Sequence, residues 1–240
     1  MGREGALSNV FVSREQKIES FAPLKRGLVV SCQVPDGTPI DTPDFIAAQA
    51  KTVLLAGAVG IRAQGIKNVA AVAGVVDVPL IGLVKRYTDE SPIYITPLVS
   101  DVIELVEAGA TIVAIDATER LRPEKLALVD FMRQVRAKTD VPILADVDSL
   151  DAALIAEIAG CDAIATTLSG YTDKPAPKLP NIELIEKISR RTSLPIIAEG
   201  GFNRPEHVLQ AFNAGAWSVC IGTAITNPYL LAKNFLQVIN

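Results

Sequence analysis

Short apolar runs recur along the chain, each bounded by Gly, Pro or a charged residue, and they alternate with longer amphipathic stretches. Two phrases punctuate them. One is Ala-Gly, a small residue, then an apolar run: AGAVGI from Ala56, AGATIVAID from Ala108, AGCDAIATT from Ala159 and AGAWSVCIG from Ala214. The other is an apolar residue, Pro, then an apolar run: VPLIGLVK from Val78, VPILADV from Val141 and LPIIAEG from Leu194. The runs are apolar at successive positions, as in strands buried on both faces. The Ala-Gly phrase fits a helix C-terminus with Gly at the left-handed cap. Proline at the start of a strand is tolerated because its missing N–H lies outside the ladder. With GLVVSC from Gly27 as the opening strand, the count comes to about eight strand–helix units, the number that closes a parallel (β/α)8 TIM barrel.

Between the strands the pattern predicts helices over 42–55, 69–74, 98–108, 123–138, 149–159, 180–191, 205–213 and 228–239. Thr42 and Ser149 are placed to cap their helices, and Pro123 stands in a first turn. A further helix over 13–25 is expected to plug the bottom of the barrel, within an N-terminal extension over 1–26. No linker or low-complexity segment interrupts 1–240, so a single α/β domain is expected.

Composition sharpens this picture. Of the 240 residues, 49% are hydrophobic and 21% charged, enough for a sizeable core. The net charge of −4 argues against a nucleic-acid groove and leaves room for a local basic pocket. No apolar run of transmembrane length is free of charges or breakers, and the stretch MGREGALSNVFVSREQKIES is polar. No membrane partner is expected, and a cytoplasmic location is. Cys32, Cys161 and Cys220 lie far apart in or beside strands and read as buried free thiols. The lone histidine, His207, falls on the 205–213 helix and reads as a surface or packing residue; a multi-histidine metal site is ruled out.

The strand ends carry the candidate chemistry. The apolar runs stop in turn at Gln33, Arg62, Lys85-Arg86, Asp116, Asp146, Thr166-Thr167, Glu199 and Gly222-Thr223. Barrel enzymes take their catalytic groups from this rim. The stretch from Pro195 to Thr226 pairs two glycine-bearing loops, Gly200-Gly201 and Gly222-Thr223, after consecutive strands. In such barrels the loops after strands seven and eight form the usual phosphate cradle, where bare N–H groups approach an anion. Lys85 and Glu199 are the candidate proton-transfer groups. Repulsion from Arg62 and Arg86 is expected to lower the Lys85 pKa and favour its neutral amine. Neither a GK[ST] phosphate loop nor a Gly-x-Gly-x-x-Gly fingerprint is present.

Taken in order, GLVVSCQ, GAVGIRAQGI, PLIGLVKR, SPIYITP, IVAIDAT, LADVDS, TTLSGYT, IIAEGGFNRPE and GAWSVCIGTAIT resemble the N-acetylmannosamine-6-phosphate 2-epimerase family over nearly the whole chain from about Gly27. The resemblance implies interconversion of N-acetylmannosamine 6-phosphate and N-acetylglucosamine 6-phosphate in bacterial sialic-acid breakdown. It also implies a barrel without metal or cofactor, and a homodimer. By motif, Lys85 handles the C2 proton, and Glu199 is the second acid/base or handles the ring oxygens. Gln33, Arg62 and Asp146 then hold the sugar, and Gly200, Gly201, Gly222 and Thr223 hold the phosphate. The chain departs from the pattern twice: Tyr87 follows Lys85-Arg86 where the family has Asp, and Asn227 follows Ile225-Thr226 where it has Arg. Arg204 is expected to replace the missing charge. Two other readings are a lyase using Lys85 as a Schiff-base nucleophile and a sugar-phosphate-binding barrel without turnover. A metal-dependent pentose-phosphate epimerase is disfavoured by the lone His207.

Overall fold

A computed structural model of the chain describes residues 12–172 and 177–239. The first eleven positions of the expected N-terminal extension, and the end of the TTLSGYT loop beyond Thr172, lie outside the described residues.

Eight parallel strands close into a barrel in sequence order. They are β1, Leu28–Cys32; β2, Gly60–Gln64; β3, Leu80–Leu83; β4, Ile112–Asp116; β5, Ile143–Asp146; β6, Ala163–Ala165; β7, Ile196–Ala198; and β8, Ser218–Ile221. The ring closes where β1 pairs with β8, Val29 opposite Cys220 and Val30 opposite Ile221. The helices are α1, Arg14–Glu19; α2, Pro43–Leu55; α3, Ile66–Ala73; α4, Val99–Glu107; α5, Leu128–Arg136; α6, Leu150–Ala159; α7, Ile182–Ser189; α8, Pro205–Asn213; α9, Thr223–Thr226; and α10, Pro228–Leu236. The Ala-Gly phrases do end helices: Gly57, Gly109, Gly160 and Gly215 all have φ between 90° and 100°.

Strand side chains alternate between two apolar clusters. Outward residues such as Ile61, Val113, Ile143 and Ile196 meet the helices. Inward residues such as Val29, Ile81, Ile112, Leu144 and Ile197 fill the barrel. At the bottom lie α1 and a 3₁₀ turn over Ala22–Leu24. Phe21 and Leu24 are fully buried and join the inner cluster. The Trp217 indole N–H donates to the Phe21 carbonyl at 2.8 Å, tying the plug to β8. Gly60 makes room for it: a Cβ there would stand 2.6 Å from the Leu24 side chain.

Two predicted helices start later than their prolines suggest. The 123–138 segment makes a 3₁₀ turn over Pro123–Lys125 and resumes as α5. Lys125 has a positive φ of 56°, and the buried stripe Leu128, Phe131, Met132, Val135 begins only at α5. The 180–191 helix starts at Ile182, because the Asn181 side chain accepts from the Leu184 N–H at 3.1 Å and so sets the cap. The four-residue α9 was not expected, being too short to show a period.

Phe21→Ala tests the plug. It is expected to lower stability by about 3–5 kcal/mol in urea unfolding. Turnover per folded molecule should be unchanged, because the polar rim is at the opposite end of the barrel.

Candidate active site

The inward alternation selects which rim residues enter the barrel mouth. Lys85 stands two positions beyond inward Leu83, Asp146 two beyond Leu144, Thr167 two beyond Ala165 and Glu199 two beyond Ile197. Arg62 points inward from β2. A cavity of about 690 Å³ opens here, and its walls include Gln33, Arg62, Lys85 and Glu199 together with Gly200, Gly201, Gly222 and Thr223. Asp146 does not line it; fully buried, it lies beneath and supports Arg62.

The centre is an ion-paired knot. Arg62, 1% exposed, donates through both terminal nitrogens to Asp146, at 3.0 and 2.6 Å. The nitrogen that makes the longer of these bonds also donates to Glu199 at 3.0 Å. The Thr167 hydroxyl sits 2.7 Å from Asp146 and 3.2 Å from Glu199. Thr166 fixes the Glu199 backbone: its hydroxyl donates to the Glu199 carbonyl at 2.8 Å and accepts the Glu199 N–H at 3.0 Å. Gln33 donates to Ser31 at 2.8 Å at the edge of the cavity.

One guanidinium faces two carboxyl groups, so ionising both would leave the knot with an excess negative charge. Burial raises the Glu199 pKa, an effect that Arg62 opposes and Asp146 reinforces. A hydrogen bond with the Cys220 thiol partly offsets the rise. Glu199 keeps 13% of its side-chain surface open to the cavity, enough for a substrate atom to reach it. Arg62 stays cationic: burial works against its charge, but Asp146 and Glu199 outweigh that and raise its pKa.

Lys85 is lowered, first by the surrounding protein and then by Arg62. Asp36, Glu199 and Asp146 partly oppose the shift. The ammonium is still wetted by the open cavity, which limits the effect. The expected contribution of Arg86 is absent, because its guanidinium turns away to bind Asp101 at 2.6 Å.

At the glycine loops, Gly200 and Gly201 have φ of 103° and 76°, conformations that side chains rarely adopt. A Cβ on Gly201 would also fall 2.5 Å from that of Leu179. Gly222 is the N-cap of α9, which opens at the cavity through Thr223. The Thr226 hydroxyl donates to the Ser31 carbonyl at 2.7 Å and fastens α9 to β1. Asn227 lines the cavity with its side chain committed, its Oδ1 accepting the Leu230 N–H at 3.0 Å as the cap of α10. Arg204 does not take the missing arginine's place; it is exposed ahead of α8 and does not line the cavity.

Residues 46–240 match the family profile described as "Putative N-acetylmannosamine-6-phosphate epimerase". The chain belongs to this epimerase family. A relative from Caldanaerobacter subterraneus subsp. tengcongensis is 42% identical over 226 residues, covering 93% of this chain and 95% of its own. Another from Edwardsiella ictaluri is 40% identical over 231 residues, 96% of this chain and 95% of its own. Both are named "Putative N-acetylmannosamine-6-phosphate 2-epimerase". The solved structure of N-acetylmannosamine-6-phosphate 2-epimerase from Clostridium perfringens superposes with a TM-score of 0.84 at 32% identity, covering 99% of this chain and 100% of that one. Thiamine phosphate pyrophosphorylase from Pyrococcus furiosus, at 17% identity and a TM-score of 0.59, shares the barrel alone.

Among the epimerase's cavity residues, the sequence did not single out Tyr94, Tyr171 or Ser31, and it marked Cys220 only as a buried free thiol. Cys220 alternates inward with Ser218 on β8, a signal that becomes legible once the phase of one strand is known. Tyr94 and Tyr171 sit on loops that carry no period.

Asp146→Ala is expected to cost about 3–5 kcal/mol, because it strips the paired partner from a fully buried guanidinium. Glu199→Gln should cost clearly less, since Asp146 still holds Arg62 through both nitrogens. Urea unfolding of the two variants side by side checks the order.

Proposed function

We propose that the chain interconverts N-acetylmannosamine 6-phosphate and N-acetylglucosamine 6-phosphate by removing the C2 proton and returning it to the opposite face. The observation that carries this reading is the placement of Lys85 and Glu199. They follow β3 and β7, which are four strands apart in a ring of eight and therefore stand across the mouth from one another. A sugar between them presents one face of C2 to each group.

The chemistry follows from the open-chain sugar, whose C2–H is acidified by the C1 aldehyde. The neutral Lys85 amine takes that proton, and the C–H electron pair passes into an enolate. Arg62 stabilises the developing oxyanion. Glu199, its carboxyl favoured in the protonated form, gives its proton to C2 from the other side. Lys85 is then charged and Glu199 ionised, a state of the same net charge that resets through cavity water. In the reverse direction the two groups exchange roles.

Phosphate is assigned to Gly200, Gly201, Gly222 and Thr223, with the first turn of α9 offering its N–H groups. Gln33 and Arg62 are assigned to the sugar, and Asp146 acts on it through Arg62. In this scheme the chemistry uses neither metal nor cofactor. The Schiff-base alternative uses the same neutral Lys85; borohydride trapping of substrate on Lys85 would favour it.

Lys85→Ala is expected to lower turnover of N-acetylmannosamine 6-phosphate by about 10²-fold or more, as for a lost general base. Lys85→Arg should fail nearly as badly, because a guanidinium stays protonated. In heavy water the wild type should place solvent deuterium at C2, followed by proton NMR, and the variants should not. The sign with pH follows from the depressed Lys85 pKa: activity is lost as pH falls through it and the amine is protonated. Deuterium exchange by Lys85→Ala at the wild-type rate would move the base elsewhere, with Glu199 first in line.

The protein is further proposed to be a homodimer. No residue of α10 is buried, and Phe235, Leu236, Val238 and Ile239 are 74, 52, 85 and 74% exposed. An apolar surface of this kind marks an interface, and a second copy is the occupant we assign. Light scattering should give twice the chain mass, and Phe235→Glu should shift it toward the monomer. A wild-type monomer at working concentration would refute the assignment.

A further inference from the structure

The Lys85 side of the mouth carries an aromatic pair that proton transfer does not use. Beyond β3 the chain makes a hairpin-like excursion in which Lys85 bridges Ile95 and Thr88 bridges Ser91, both antiparallel. The Arg86 N–H donates to the Tyr94 carbonyl at 2.8 Å. The excursion is clamped at several points. Arg86 donates from two nitrogens to the fully buried Asp101, at 2.6 and 3.2 Å. The Ser91 hydroxyl donates to the Leu121 carbonyl at 2.6 Å, and Ile93 is fully buried. On this frame the rings of Tyr87 and Tyr94 stack, with centroids 5.3 Å apart and planes 12° from parallel. Tyr94 lines the cavity. Tyr87, 74% exposed, covers its outer face.

The barrel order places this wall relative to a substrate. The glycine loops follow β7 and β8, and β3 and β4 lie diametrically opposite them. A hexose phosphate held at its 6-position by those loops directs its C1–C2 end toward Lys85. Tyr94 is on the segment hydrogen-bonded to that of Lys85, so the C2 substituent other than the proton meets this wall first.

We propose that the Tyr87–Tyr94 stack is the wall against which the N-acyl group on C2 packs, with Tyr94 setting acyl-size specificity and Tyr87 positioning it. This rests on the epimerase reading above. A flat ring suits a planar amide and its methyl group. The second ring behind it, on a clamped hairpin, keeps the wall from receding when a longer acyl chain presses on it.

The test compares N-acetyl-, N-propanoyl- and N-butanoylmannosamine 6-phosphate by kcat/KM, followed by proton NMR. In the wild type, kcat/KM should fall about 10-fold per added methylene, the usual discrimination of a close-fitting apolar wall. Tyr94→Ala should weaken the N-acetyl substrate about 10-fold, mainly through KM, and flatten the series, because the cavity gains the volume of a ring. Tyr94→Phe should keep the wild-type series, since the ring and not the hydroxyl is the wall. Tyr87→Ala, a surface change, should flatten the series in part without altering Tm.

A series as steep in Tyr94→Ala as in the wild type overturns the proposal, and so does Tyr94→Phe flattening it as much as Ala. Should Tyr94→Ala not fold, Tyr87→Ala decides, and a wild-type series there overturns it. If the wild type is inert toward all three sugars, the epimerase reading fails and the proposal falls with it. If the wild type is active and the variants leave the series unchanged, the wall alone fails.

Discussion

Arg62 is a full cation with 1% of its surface exposed, inside a barrel whose lower interior is apolar. An unpaired charge there would cost several kcal/mol, a large share of a domain's stability. It is tolerated because Asp146 presents both oxygens to it and Glu199 one more. That arrangement ties β2 to β5 and to the end of β7, and it requires all three to turn these residues inward. The barrel supplies them from different points along its strands: Arg62 from the middle of β2, Asp146 from the last position of β5 and Glu199 from just past β7. The same knot shapes the electrostatics of the mouth. Burial lowers the Lys85 pKa and the knot's cation adds to that, while burial raises the pKa of its second carboxylate, Glu199.

The barrel divides its tasks between its ends. At the bottom, Phe21 and Leu24 close the interior with apolar volume, and Trp217 fastens the plug by one hydrogen bond. At the top, the inner layer is polar and partly wet. Loops anchored by buried polar contacts, Arg86 to Asp101 and Thr226 to Ser31, fix the backbone around the cavity without closing it. Changes at the bottom therefore act on stability, and changes at the top act on chemistry, except at Asp146, which belongs to both.

The chain's two departures from the family pattern have different structural consequences. Asn227, where the resemblance implies an arginine, spends its side chain on capping α10. Arg204 is exposed and away from the cavity, so it adds no charge to the rim where the glycine loops and α9 line it. Tyr87 replaces a small acid by an aromatic ring and finds a partner in Tyr94. A charge is thereby exchanged for an aromatic contact.

The architecture was legible in the sequence because it depends on local rules repeated many times. Glycine at helix ends, proline before strands and runs apolar at every position mark a parallel barrel whatever the partners of any one strand. The rim residues were legible too, since polarity returns where each strand ends. The phase of each strand was not. A strand apolar on both faces shows no alternation, so nothing local says that Arg62, Lys85, Asp146 and Glu199 point inward together, or that Asp146 lies beneath Arg62 and not in the cavity. Closing the ring decided that, because only one face of each strand can fit the interior. Closure also put β3 opposite β7, turned Arg86 away from Lys85, left Arg204 outside, and brought Tyr87 against Tyr94. These are relations between residues distant in the chain or set by loop geometry. They depend on how strands register around a closed sheet, which no stretch of the sequence encodes alone.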